Sequence, residues 1–472
     1  LVVAVNPEKH IAESVKTPMM ISRLPHATDR MGRKMLPPIA WFFGLLGLGY
    51  WGHTFTPLQL FSFGPFLYGL VVFSIGAYRY RAGLPVRELH AEWPTVSVLI
   101  PAHNEESVIA NTLKYVLGQD YPKMEVVVID DHSTDATGQI LEQFPVRVVT
   151  RRNLPDRGKS EALNAGLEVV TGEIVCVFDA DSEMAPDFLR RAVAPLVRDP
   201  SLAGVQAQVR MYNRHHNFLT AAQDDEFALY NEILQVGRMT VGGASALGGN
   251  GQLTRRRAVG NVGGWSPASL TEDLDLTVRL FLAGQGRIYH ATDAIVWQEG
   301  VTALPALVRQ RTRWAEGMLR CYGEFAGALL RSPNVATILR WDAIYALLSA
   351  FLPLMPLLMF VMGWMGFFAI DTAGGLPHGL IQAQSLLVVF AACLWSGVVS
   401  WRRDRRIDIM PGLRYMIFIF HWVPAVALAL KNILRAKPVV WQKTVHNGHA
   451  VMIDRAQIKP ASVTPERSTV SL

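Results

Sequence analysis

Three short stretches of this 472-residue chain hold side chains that can do polar chemistry. In VFDADSE, Asp179 and Asp181 stand one residue apart at the end of the apolar run EIVCVFD. Two carboxylates this close repel unless a cation or a set of donors compensates. The pair suits a divalent metal with hard oxygen ligands, and it equally suits a polar turn closing a buried strand. In SLTEDLDLTVRLFLAGQ (269–285), Thr271 has the chemistry of an N-cap, and Glu272 and Asp273 fall in the first helical turn. There the helix dipole favours acids whether or not they touch a substrate. Asp275 is turned away from them on the helix. In DRGKSEALNAG, Lys159 opens a helix, where an ammonium and free backbone N–H groups can meet a phosphate. This stretch is not a P-loop, because GxxxxGK[ST] needs glycine at position 153 and the chain has Asn153.

The elements that must position these groups alternate regularly. VSVLI (96–100), EVVVIDD (125–131), VRVVT (146–150) and EIVCVFDAD read as buried strands, and helical patterns lie between them at 105–118, 135–143 and 159–170. Short β-branched runs alternating with helices predict a parallel sheet covered on both faces. Ligands of such sheets sit beyond the carboxyl ends of the strands. Here those ends carry PAHNEE, DDHSTD and DAD, so one edge gathers polar and acidic groups. No GxGxxG follows the first strand, which argues against a dinucleotide.

Composition points to a membrane. Half the residues are hydrophobic and only 18% are charged, and mean hydropathy is +0.21. The excess lies at 39–52, 57–78, 341–370 and 380–400, whereas 90–335 has the make-up of a water-facing α/β domain. Lys9, Lys16, Arg23, Arg30, Arg33 and Lys34 precede the first apolar run, and Arg79 and Arg81 follow the second, which predicts that the large water-facing domain is cytoplasmic. The net charge of +6 is concentrated where spans meet the cytoplasm, as in WRRDRR (401–406). No zinc spacing or RNA-binding signature is present, so nucleic acid is not an expected partner. Cys176, Cys321 and Cys393 are too dispersed for a disulfide framework.

PAHNEE, IDDHSTD, RGKSEALN, DAD, TEDLDL and QRTRW occur in the order seen in inverting family 2 glycosyltransferases, and the chain resembles that family over residues 94–320. With its flanking apolar segments it is similar to the membrane-embedded cellulose synthase, hyaluronan synthase and poly-N-acetylglucosamine synthase group. The resemblance implies an α/β GT-A domain, a mainly parallel sheet with helices on both faces, inserted between α-helical transmembrane segments. It also implies a UDP-sugar donor and Mg²⁺ or Mn²⁺. By resemblance, Asp181 holds the metal with Asp179 beside it or on the ribose. Asn104, Glu105 and Asp131 face the uridine, with Asp130 the alternative loop-holder. Lys159 meets the uracil edge or the diphosphate, Arg313 the diphosphate, and Asp273 is the general base. Glu272, Gln310 and Trp314 fall on the acceptor side, and Trp441, Lys443 and Thr444 of WQKT resemble a gating loop. Where cellulose synthases have a Cys-containing motif, this chain has Gly249-Asn250-Gly251-Gln252, a departure from that group.

The expected organisation is a cytoplasmic segment (1–36), two transmembrane helices (37–82), a GT-A domain (90–300) and interface helices carrying QxxRW (301–335). Further membrane helices (340–430), a gating loop (431–454) and a disordered tail (455–472) follow. The apolar stretch 414–430 holds Pro424 and is short, and basic residues follow it, which suggests a re-entrant or interfacial segment and a cytoplasmic C-terminus. The expected function is processive extension of a β-linked polysaccharide across a bacterial inner membrane. UDP-glucose is the first choice of donor and UDP-N-acetylglucosamine the second. The partners would be the growing polysaccharide, the lipid bilayer and a periplasmic or outer-membrane export partner. The alternative is a single transfer to a lipid such as ceramide, diacylglycerol or a polyprenyl phosphate, and QxxRW serves both.

Overall fold

The computed structural model describes residues 68–80, 92–151, 158–243, 245–347 and 378–435. The segment 1–36, most of 37–82, and Trp441, Lys443 and Thr444 with the rest of 436–472 lie outside the described residues.

Four apolar runs form the expected strands: β1 (Val96–Ala102), β2 (Met124–Asp130), β3 (Arg147–Thr150) and β4 (Ile174–Val177). They pair in parallel, β1 with β2 and β4, and β2 with β3. Four further strands complete an eight-stranded sheet: β5 (Glu183–Met184), β6 (Leu202–Met211), β7 (Gln252–Arg255) and β8 (Arg287–Gln298). The order is β3-β2-β1-β4-β7-β6-β8-β5. β7 runs antiparallel to both β4 and β6, while β6 and β8 are parallel. The reversal matters for chemistry. It starts β7 where β4 ends, with Val177 opposite Gln252, so the glycine-rich stretch enters beside Asp179. Because β4, β6 and β8 point the same way, Asp179, Met211 and Glu299 gather at one edge.

Helices cover both faces. On one, α2 (Ile109–Leu117) and α5 (Phe188–Arg198) bury Ile109, Leu113, Phe188 and Leu189 against Val98, Ile100 and Cys176. On the other, α4 (Lys159–Val169), α8 (Glu272–Leu282) and α9 (Leu304–Arg331) enclose Leu99, Val127, Leu163, Trp265, Leu276 and Phe325. Each large side chain buried this way contributes about 1.5–3 kcal/mol. The remaining helices are α1 (68–80), α3 (Thr137–Leu141), α6 (Phe218–Ala228), α7 (Arg256–Asn261), α10 (Thr337–Leu347), α11 (His378–Asp404) and α12 (Met410–Leu434).

The helix α6 is the bracket that joins the sheet to the apolar helices. Asn217 and Thr220 form a capping box at its start, and it continues through a π turn (Leu229–Leu234) into Gln235–Thr240. Its acids point to separate elements. Asp224 takes both arms of Arg210 from β6 at 2.6 Å, and Asp225 takes Arg414 of α12 at 2.5 Å. Glu226 takes Arg311 of α9 at 2.6 Å, and Glu232 in the π turn takes Arg403 of α11. Removing one partner of a buried pair leaves an uncompensated charge, so each link enforces a specific placement.

Among the described residues, α12 is the helix long and apolar enough to cross a membrane, with mean hydropathy 1.7 and 33% of its apolar window buried. It lies alongside α9: Val426, Ala429 and Ile433 pack on Ala315 and Leu319. Near its first end Arg414 meets Asp225, and near its last end the Asn432 amide donates to Glu316 at 3.0 Å. Of the multi-span arrangement expected over 340–430, the described residues supply this one helix of sufficient length and apolarity.

Candidate active site

The β4 end is built around a lysine. Lys159, the first residue of α4, donates to Asp179 Oδ1 at 2.5 Å and stands 3.5 Å from Glu272 Oε1 at the start of α8. Burial works against its charge, but Asp179, Glu272 and Asp273 overcome this and hold its pKa above the usual lysine range. One ammonium thus joins the acids of DAD to those of TED. Glu272, expected on the acceptor side, is placed here against Lys159.

Asp181 is buried, and its Oδ2 accepts the Glu299 N–H at 2.8 Å. Asp179 is more open, with a side-chain exposure of 36%. Asn250 fixes the turn between them. Its Oδ1 accepts from Asp179 N at 3.3 Å and Ser182 Oγ at 2.8 Å, while its amide donates to Gln298 at 3.0 Å. Gly249, at φ +81°, lets this turn approach closely: a Cβ there would stand 3.3 Å from Asp273 Oδ2 and 3.4 Å from Lys159 Nζ.

Asp273 has the environment of a base. Burial first and Glu272 second push its pKa up, against the pull of Lys159, the Leu274 N–H and Arg313, to about 7. A carboxylate so poised exchanges a proton near neutral pH. The expected Thr271 cap is not made. Its side chain forms no capping bond; it packs on Gly317 of α9, with Oγ1 3.9 Å from Cys321 Sγ. The start of α8 is held instead by Asp273 Oδ1 accepting from Leu274 N at 2.8 Å. Asp275 binds Arg279 at 2.6 Å, a structural pair as its position on the helix suggested.

The loops after β1 and β2 interlock. Asn104, at φ +54°, receives Thr134 N at 2.7 Å on its amide oxygen and donates its own N–H to Ser133. Glu105 is buried, with its N–H on Thr137 Oγ1 at 2.8 Å. Asp131 is also buried and binds Arg151 and His132, each at 2.7 Å, while Asp130 accepts Ser133 N within the loop. Arg313 donates to the Leu270 carbonyl at 3.3 Å, just before TED. Gln310 is half-buried on the same helix. Trp314 stacks one face on Arg311 at 3.9 Å and meets Phe227 edge-on at 6.2 Å.

Sequence reasoning missed Arg151, Asn250 and Arg311. Asn250 carried a usable signal, an amide between two glycines next to the strand that pairs with β4. Arg151 and Arg311 carried none, because their partners are distant in sequence.

The two carboxylates of DAD fit a hard divalent cation in part. Among the described residues no group of three or more His, Cys, Asp or Glu side chains forms a metal cage. Asp179 and Asp181 would supply part of a shell that substrate phosphates and water complete, as Mg²⁺ and Mn²⁺ accept.

Residues 94–317 match the family described as glycosyltransferase like family 2. A beta-monoglucosyldiacylglycerol synthase of Nostoc sp. is 32% identical over 422 residues, spanning 84% of this chain and 87% of that protein. The chain belongs to glycosyltransferase family 2. A poly-beta-1,6-N-acetyl-D-glucosamine synthase of Staphylococcus epidermidis is 26% identical over 56% of this chain and 65% of its own length. The fold is shared with a mannosyltransferase of Pyrobaculum calidifontis, with TM-score 0.51 and 23% identity, covering 86% of this chain and 99% of that one. This glycosyltransferase therefore has the expected GT-A-like α/β domain.

Proposed function

We propose that this glycosyltransferase moves one hexose from a UDP-sugar, UDP-glucose first, onto the hydroxyl of a diacylglycerol-type lipid with inversion at the anomeric carbon. The observation that carries the reading is the extent of the likeness to the glucosyldiacylglycerol synthase, which spans 84% of the chain and so reaches beyond the catalytic domain. The likeness to the polysaccharide synthase covers 56%. The expectation of processive polymer synthesis thus gives way to its alternative, and with it the export partner.

In this reading Asn104, Glu105 and Asp131 form the wall against the uridine. Asp181 and Asp179 would hold Mg²⁺ or Mn²⁺, and the ion would supply positive charge to offset that of the UDP leaving group. Lys159 adds a second positive charge there, and Arg313 a third from α9. Asp273 takes the proton of the lipid hydroxyl on the face of the sugar opposite the diphosphate. Gln310 and Trp314 lie towards the acceptor, the half-buried Trp314 ring being suited to a sugar or glycerol edge.

Delivery of a lipid requires a membrane surface, and α12 has the shape for one. Met410, Leu413, Ile417, Phe420, Leu428 and Leu434 are exposed at helical spacing along one side. The opposite side packs on α9. An apolar stripe on one side, with the other side occupied, suits a helix lying in the interface. This supports the interfacial alternative for 414–430. UDP release measured across a panel of UDP-sugars, with diacylglycerol in mixed micelles, tests the donor. Release dependent on UDP-glucose and on lipid supports the reading, and release indifferent to lipid refutes it.

A further inference from the structure

Arg311 lies two residues before Arg313 in QRTRW, and the reaction outlined above leaves it without a role. Its side chain is fully buried. One terminal nitrogen donates to Glu226 Oε2 at 2.6 Å. Its Nε and other terminal nitrogen have no hydrogen-bond partner among the described residues. Aromatic rings surround the guanidinium instead: Trp314 at 3.9 Å, Trp422 at 5.5 Å and Phe227 at 5.8 Å. The π faces receive the positive charge where ordinary acceptors are lacking. Glu226 also ties the group to α12, since its second oxygen accepts the Trp422 indole N–H at 2.7 Å. A single carboxylate on α6 therefore holds an arginine of α9 and a tryptophan of α12.

We infer that Arg311 is a positioning residue: through Glu226 and Trp422 it makes the orientation of the Trp314 ring depend on the seating of α12. The inference rests on the reading of Trp314 as the acceptor-side platform. Its physical basis is that a planar guanidinium stacked on an indole fixes the tilt of the ring, which a flexible ammonium does not. The side of α12 opposite this contact carries the exposed apolar stripe. Docking of that stripe on a bilayer thus becomes linked to the shape of the acceptor site, and the donor site at β4 lies outside the link. An enzyme whose second substrate resides in the membrane gains from such an arrangement, because the acceptor platform is completed where the acceptor is found.

The test uses the full-length enzyme with UDP-glucose and a short-chain diacylglycerol in detergent micelles. Arg311→Lys keeps the charge and removes the planar stack, whereas Trp422→Phe removes the indole N–H and shrinks the ring while keeping an aromatic face. Each should raise the acceptor KM by about threefold to tenfold, the factor expected of a weakened cation–π contact. The donor KM and the slow hydrolysis of UDP-glucose without acceptor should stay within about twofold, since a factor of two lies well below 1 kcal/mol. Trp422→Phe is then repeated in a Trp314→Ala background. Because the route runs through the Trp314 ring, the second substitution should no longer change the acceptor KM. An undiminished effect in that background overturns the inference, as does an equal change in donor KM, which marks a general structural role. Should Arg311→Lys fail to fold, the Trp422 pair carries the test alone. An acceptor KM unaltered by Trp314→Ala itself overturns the platform reading and the inference with it, while an altered one with a silent Trp422→Phe overturns the inference alone.

Discussion

Replacing Asp273 by Asn separates proton transfer from binding. The substitution is nearly isosteric and keeps an oxygen to accept from Leu274 N, a bond of 2.8 Å in the structure. Only the proton acceptor is lost, which costs about 10²–10⁴ in rate for a general base. The pH profile sharpens the prediction. With the wild-type carboxyl held at about 7 by burial and Glu272, its ionised fraction rises roughly tenfold between pH 6 and pH 8. The wild-type kcat should follow that rise, and the residual activity of the variant should be flat. Stability moves the other way. A carboxyl whose folded pKa is raised stabilises the fold fully below its unfolded value of 3.8, and that contribution is lost as pH rises through about 7. Asp273→Asn should therefore melt higher than wild type at pH 8 and no higher at pH 4. The assays are initial rates of lipid glycosylation and scanning calorimetry of the ligand-free enzyme. A variant with near wild-type rate, or a wild-type rate unaffected by pH from 6 to 8, refutes the role given to Asp273.

Three further outcomes follow from the same geometry. Asp181→Ala should weaken binding of UDP with Mn²⁺ by about tenfold or more in calorimetric titration, since a direct oxygen ligand is removed; wild-type affinity would sink the metal assignment. Gly249→Ala places a side chain at φ +81°, beside Asp273 and Lys159, so it should cost about 1–2 kcal/mol of stability and lower kcat more than either KM; an unchanged kcat would contradict the close approach. Spin labels at Met410 and Leu434, both exposed ends of α12, should report the same shallow depth in vesicles. Labels on opposite membrane surfaces would make α12 a span.

Much of the catalytic frame was legible before the structure. β1 to β4 announced themselves because they are short runs rich in β-branched residues, buried on both faces in β1 and β4. The acids at their ends pointed to one edge of the sheet. β6 gave no such signal, since Gln206, Gln208 and Arg210 sit within it, buried and polar. Gln208 is satisfied by Glu232 at 2.5 Å and Arg210 by Asp224 at 2.6 Å, partners on another element that no local pattern displays. The reversed β7 gave no such signal either, since Gln252 and Thr254 sit within it, buried and polar. Thr271 shows the opposite failure. Its type fitted a cap, but packing against Gly317 and Cys321 took the hydroxyl elsewhere. Acids in a first helical turn are common, and only the arrival of Lys159 from α4 tells the Glu272–Asp273 pair from a helix start. Polymer or lipid as acceptor was not legible at all, because QxxRW serves both.

The central claim is a single transfer to a membrane lipid, and the identity of the product tests it most directly. The purified enzyme is incubated with radiolabelled UDP-glucose in vesicles containing diacylglycerol, and the products are separated by thin-layer chromatography and by gel. The account predicts one chloroform-soluble product carrying one β-linked glucose per lipid, formed in step with UDP release and absent when diacylglycerol is left out. A water-soluble ladder of oligosaccharides that lengthens with time and forms without added lipid would contradict it.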